Sequence, residues 1–256
     1  MSDYHSQSRY APADAARADV DTGLRKFMLG VYGKMALGLV WSAVLAYAVG
    51  AYAPITNLVF GTPLVYLVQW GPLVLLLGSN FLMRNPSPTS SGLLYWSVVT
   101  LMGAGLGVWV YLALAQTGVT TSAGQTLNVS FGNITKAFLI TAGAFGALSL
   151  WGYTTKRNLS GLHSFLVMAT FGLVVISMLN AFLFHSPMFE VIMQVVVLGV
   201  FSLLVATQTQ MLTRIYYHMQ GDHRGLATMT NFGALNLYIA FITIFQMILS
   251  LMSSRN

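Results

Sequence analysis

"MALGLVWSAVLAYAVGAYAPITNLVFGTPLVYLVQWGPLVLLLGSNFLM" (Met35–Met83) contains no acidic or basic side chain. Such a run leaves nothing to solvate a protein surface, whereas a membrane-spanning helix asks for about 20 consecutive, mostly apolar residues. Charge is absent again between Asn85 and Thr135 and between Ala137 and Thr155. Over the whole chain only 7% of residues are charged and 56% are hydrophobic, where soluble domains carry roughly 25% charge. The expected fold class is therefore an all-α integral membrane protein.

Seven apolar segments follow, at roughly 31–53, 63–83, 92–116, 135–153, 162–184, 188–212 and 228–252. Pro54, Pro63, Pro86, Pro88 and Pro187 lie at or beyond segment ends, as helix punctuation should, while Pro72 falls inside the second segment and is expected to kink it or delay its start. The polar 117–134 stretch is the one long connection. Residues 1–24 read as a mobile polar tail without an apolar leader core, and 25–256 as the transmembrane domain. Cations set the orientation. With a cytoplasmic N-terminus, Arg9, Arg17, Arg25, Lys26, Lys34, Arg84, Lys156, Arg157, Arg214 and Arg224 fall inside, leaving only Lys136 and Arg255 outside. The C-terminus is then outside.

Small residues in "GAGLG" (103–107) and "GAFGALS" (143–149) are expected to be helix-packing faces. Trp41, Trp70, Trp96, Trp151, Tyr216 and Tyr217 are expected to be interfacial anchors. The net charge of +6 is spread between apolar segments, not clustered, which argues against nucleic acid as a partner. Cysteine is absent, and no phosphate loop, metal-spaced cluster or nucleophile motif is seen, so neither an enzyme nor a cofactor is expected. "HMQGDHRG" (218–225) reads as a solvated turn in preference to a metal or pH-sensing site. "NVS" and "NIT", at Asn128 and Asn133, match the glycosylation pattern, which short sequences meet by chance. The last segment lacks the lysine a retinal protein needs, and the missing cysteines speak against a eukaryotic-type signalling receptor.

What remains is polarity inside the membrane. In "LLVATQTQMLTRIYY" (203–217) the sixth segment ends in Thr207, Gln208, Thr209 and Gln210. In the seventh, Asn236, Ala240, Thr243 and Met247 share a face, with Gly233 one turn earlier. Gln208 and Asn236 are placed to meet, either as an interhelical amide bond worth about 0.6–2 kcal/mol or as a polar gate on an ion path.

Three stretches resemble the Bax inhibitor-1 family (the transmembrane Bax inhibitor motif, or YccA-like, proteins). "FGALSLWGYTTKRNLSGLHSFLVMATFGLVV" (145–175) resembles its central signature, "VYGKMALGLVWSAVLAYAV" (31–49) its first helix, and "GALNLYIAFITIF" (233–245) its closing helix. The resemblance implies a seven-transmembrane-helix bundle with the C-terminal helix enclosed by the other six. It also implies a pH-sensitive calcium leak governed by two aspartates, with an arginine at the end of the second helix engaging them. Arg84 in "FLMRN" stands where that arginine belongs, but Gln208 and Ala240 stand where the aspartates would. An amide and a methyl do not titrate, and calcium prefers anionic oxygens. The expected function is thus that of a calcium-leak relative without the pH switch. It is either held closed by amide bonds or leaks independently of pH, with calcium as transported ion and the lipid bilayer as its environment. The competing expectation is a non-conducting regulator of membrane-protein quality control or stress response, acting through a membrane protease docked on the tail. The resemblance points to a bacterial inner membrane.

Overall fold

A computed structural model of the chain describes residues 13–82, 85–115, 119–120, 126–184 and 186–254. The described residues form α1 (Ala13–Ala51), α2 (Ala53–Phe60), α3 (Leu64–Leu82), α4 (Pro88–Ala115), β1 (Val119–Thr120), β2 (Thr126–Leu127), α5 (Phe131–Thr154), α6 (Ser160–Leu179), α7 (Pro187–His218) and α8 (His223–Ser253). Asn180–Phe184 continues α6 as a π-helical turn. Among the described residues six helices are long and apolar enough to cross a membrane. The pair α2–α3, bent by 65° at its break, makes a seventh span when taken as one.

Local chemistry sets most boundaries. Proline occupies the first turn of α2 and of α7, where its missing N–H costs nothing and its φ suits a helix start. Ser186, Ser130 and Asp222 cap α7, α5 and α8 by accepting from Phe189, Asn133 and Gly225 N–H groups. The bend in the second span lies at the break after α2, where the Gly61 N–H closes back on Asn57 O (2.8 Å). Pro72, the expected breaking point, is inside α3. Helix α1 starts at Ala13, within the stretch read as tail. The alanine-rich 13–17 sequence is a good helix former, and Leu24 is already buried.

The centre of the bundle is α8, whose spanning window is 56% buried, against 6% for α6. Four helices pack on α8: α1 and α4, joined closely to each other, and α5 and α7, likewise paired. Helix α6 leans on α7, and α3 on α4, outside this ring. The enclosure of the C-terminal helix is therefore mainly the work of four helices.

The α1–α4 pair is tight because glycine makes it so. A Cβ on Gly103 would sit 2.8 Å from Ser42 Cα, and one on Gly107 2.7 Å from Val49 Cγ1. This is the close approach expected of a small-residue face. The second such stretch behaves differently: Gly143 and Gly146 have nothing within 4 Å of an added Cβ. Helix α5 instead meets α7 at Gly152, whose added Cβ would fall 2.2 Å from Ala206 O. Tyr216 also departs from expectation, since it is buried against Phe27 and Gly23, while Tyr217 is exposed.

The polar connection after α4 holds a short antiparallel pairing, Val119 with Leu127 and Thr120 with Thr126. Asn128 N–H then donates to Ser253 O (2.9 Å), tying this connection to the end of α8. Asn133 is buried and donates to Asn128 O, so the "NIT" asparagine serves the fold. At the opposite end of the bundle the starts of α1, α4, α6 and α8 meet the ends of α5 and α7. Arg25, Lys26, Lys34, Lys156, Arg157, Arg214 and Arg224 all belong to this end.

Candidate functional site

The four polar residues closing the apolar part of α7 point four ways. Thr207 donates to Leu204 O (3.0 Å) and pairs with His163 Nδ1 on α6 (3.1 Å). Thr209 donates to Val205 O (2.9 Å) and pairs with the Tyr32 hydroxyl on α1 (3.2 Å). Gln210 reaches the α5–α6 connection. Its Oε1 accepts from Leu159 N–H (2.9 Å) and from Arg214 Nη2 (3.0 Å). Its Nε2 donates to Arg157 O (2.7 Å) and Thr155 O (3.3 Å). That uses both lone pairs and both protons of the amide. Arg214 adds a bond to Ser160 Oγ (2.6 Å), so α7 holds the "YTTKRNLS" loop by four hydrogen bonds.

Gln208 is the exception. Its Oε1 is buried and has no hydrogen-bond partner among the described residues. It lines a cavity of about 160 Å3 between α6, α7 and α8, together with His163, Met211, Met229, Phe232 and Asn236. Among the described residues no acidic side chain lines this cavity. The two carboxylates on described side chains lie elsewhere, with Glu190 in the first turn of α7 and Asp222 capping α8.

Helix α8 carries a second polar cluster on its opposite face. Lys34 Nζ, well inside α1, donates to Asn231 Oδ1 and lies 5.4 Å from the centre of the Tyr95 ring. Asn231 Nδ2 donates to Pro88 O and Ser91 Oγ, both at 2.8 Å. Tyr95 donates to Lys34 O (2.7 Å). Deeper along the same face, Ser42 donates to Gly38 O (2.9 Å) and pairs with the Tyr238 hydroxyl (2.6 Å). The ammonium is thus held by an amide and an aromatic face.

Of the expected site residues, the structure brings Gln208 and Asn236 to one cavity but joins them by no hydrogen bond. The α7–α8 contact is made instead by Leu212 over Gly233, which leaves the two amides on the cavity wall. Asn236 is exposed. Ala240, one turn further along, is 1% exposed in the hydrophobic core and does not line the cavity. Thr243 donates to Ile239 O (2.8 Å) within its own helix. Arg84 lies outside the described residues. Sequence reasoning passed over His163, Gln210, Asn231 and Lys34 as site residues. Lys34 carried a usable signal, a lone cation in an otherwise apolar helix, but was counted only toward orientation. Gln210 carried none, because its partners come from a loop more than fifty residues earlier.

The sequence profile described as "inhibitor of apoptosis-promoting Bax1" matches residues 24–256. A protein of Caulobacter vibrioides is 45% identical over 98% of this chain and 97% of its own length. The inner membrane protein YbhL of Escherichia coli is 32% identical over 91% of this chain and 93% of its own. A Rickettsia prowazekii protein is 31% identical over 92% of both.

Proposed function

Since the chain belongs to the Bax inhibitor-1 family, we propose that it is a calcium-leak-type membrane protein from which the carboxylate pH switch has been removed. The observation that carries this reading is the Gln208 carbonyl, which is buried without a partner among the described residues, on a cavity that no described acid lines. A neutral amide at the family's sensor position binds no proton between pH 6 and 8, and its single carbonyl is a poor substitute for anionic calcium ligands. The second sensor position, Ala240, is closed into the core and offers no ligand. Flux through such a bundle is small and does not follow pH. The resemblance to the Escherichia coli inner membrane protein YbhL, and the seven cations gathered at one end, favour an inner-membrane location with that end cytoplasmic.

The test is calcium flux into proteoliposomes across pH 6 to 8. The wild-type protein should give a low flux without pH dependence, and Gln208→Asp combined with Ala240→Asp should introduce one. A steep pH response in the wild type that disappears in Gln208→Ala would overturn the reading. Absence of flux in every variant would favour instead the non-conducting regulator, acting through a membrane protease.

A further inference from the structure

The ring around α8 is open along one seam. Helices α1 and α4 form one close pair and α5 and α7 another, and α4 and α5 touch only slightly. At this seam a cavity of about 260 Å3 runs inward from Leu39 and Ala43 on α1, past Trp109 on α4 and Phe138 on α5, to Phe241 and Phe245 on α8. Its wall is apolar and aromatic apart from the Thr135 hydroxyl and the Trp109 indole. Protein interiors are otherwise packed to crystal density, and apolar cavities of this kind stay dry and accept apolar guests.

We infer that this seam is a binding slot for the acyl chain of a membrane phospholipid, which enters between α1 and α5 and lies against the central helix. The cavity is continuous with the lipid-facing surface. Phe138 is 44% exposed and Val40, next to the slot residue Leu39, is 63% exposed, so the medium at its mouth is hydrocarbon. Its lining lies toward the end of the bundle that carries the β1–β2 connection. Leu39 and Ala43 are two to three turns before the end of α1, and Phe241 and Phe245 two to three turns before the end of α8. That is about 12–18 Å inside the helix ends, which is acyl-chain depth and not headgroup depth. Water is disfavoured there because the wall offers it too few polar partners. The small Ala43 leaves room on the α1 side, and the rings of Phe138, Phe241 and Phe245 supply broad apolar contact on the other.

Full-length protein retaining Trp109 alone, with Trp41→Phe, Trp70→Phe, Trp96→Phe and Trp151→Phe, is reconstituted in phosphatidylcholine vesicles whose acyl chains are brominated near mid-chain. Bromine quenches indole on contact, so Trp109 fluorescence should fall by about half relative to unbrominated vesicles. Narrowing the slot with Ala43→Leu, or separately with Thr135→Leu, should restore most of that loss. Both positions are exposed, so neither change strains the core. A companion protein retaining Trp96 alone should be quenched equally with and without the leucines, which reports an intact fold. Trp109 quenching that is absent, or that the leucines leave unchanged while Trp96 behaves as expected, overturns the slot. Efficient copy-to-copy cross-linking through Ala43→Cys in the unquenched case would assign the seam to a second copy and overturn it as well.

Discussion

Two amides flank α8 near the charged end of the bundle. On the α1–α4 side Asn231 has every polar atom engaged, by Lys34, Pro88 O and Ser91. On the α6–α7 side Gln208 keeps a buried carbonyl with no partner among the described residues and faces a cavity of about 160 Å3. The residue chemistry is the same, so the difference lies in helix spacing. Gly103 and Gly107 draw α4 onto α1, and Gly38 lets the Tyr95 hydroxyl in, so donors and acceptors on that side are brought within reach. On the other side Leu212 packs closely onto Gly233, and beside that contact a hollow is left between α6, α7 and α8. An amide becomes a clamp where the neighbouring helix brings polar groups within its reach, and a cavity wall where the close contact falls beside it.

The hardest blow to this contrast is to separate α1 from α4. Gly103→Val puts its branched carbon into the backbone of Ser42, which cannot swing away as a side-chain tip can. A loss of about 3 kcal/mol is expected, at the upper end for overpacking, read as a lowered Tm in detergent. Gly143→Val, in the similar motif on α5 with open space around it, should shift Tm little. If the two variants melt alike, tight packing is not what distinguishes the faces.

Next comes the clamp itself. Asn231→Leu leaves the Lys34 ammonium without its acceptor and two acceptors at the start of α4 without their donor. Stranding buried polar groups costs about 1–3 kcal/mol, so the change should destabilise by about 2 kcal/mol. Adding Lys34→Met removes the stranded charge and should recover about half of that, because taking away both partners is gentler than taking away one. Strict additivity of the two changes in a double-mutant cycle would show that the pair is not coupled.

The contrast was partly visible in the sequence. Charge-free runs and proline positions locate the later spans to within about six residues, because lipid tolerates neither free charge nor open backbone, but they miss that the first span begins at Thr22 and that the second includes α2. The small-residue motifs at 103–107 and 143–149 look alike as text, yet only in the first do the glycines oppose another helix, while in the second it is Phe145 that faces the core. What decides is the neighbour, and the neighbour is not in the motif. Gln208 and Gln210 pose the same difficulty. Two residues apart on a helix they point about 200° apart, one toward the hollow and one toward a loop from a distant part of the chain.

That pair gives the next test. Gln210→Ala removes three of the four bonds holding the 154–160 loop, including both to its backbone carbonyls. The loop lies at the charged end where water can replace some of them, so about 1–2 kcal/mol is expected. The clearer readout is local: cleavage by trypsin after the exposed Lys156 and Arg157 should speed up several-fold as the loop opens more often. Unchanged cleavage would mean that Arg214 and Ser160 suffice to hold it.

The smallest effect belongs to Gln208, and its sign carries the argument. A buried acceptor without a donor is a standing cost, and leucine of similar reach removes it while adding apolar contact with Met211, Met229 and Phe232. Gln208→Leu should therefore leave stability within about 0.5 kcal/mol of wild type or raise it. Asn231→Leu, the same exchange on the opposite face of α8, should cost several times more. Should Gln208→Leu melt as early as Asn231→Leu, the Gln208 carbonyl has a bonding partner in the membrane, and the two faces differ only in where that partner comes from. If it melts at or above wild type, Gln208 is a site kept polar against the interest of the fold, the mark of a residue retained for what passes or binds beside it.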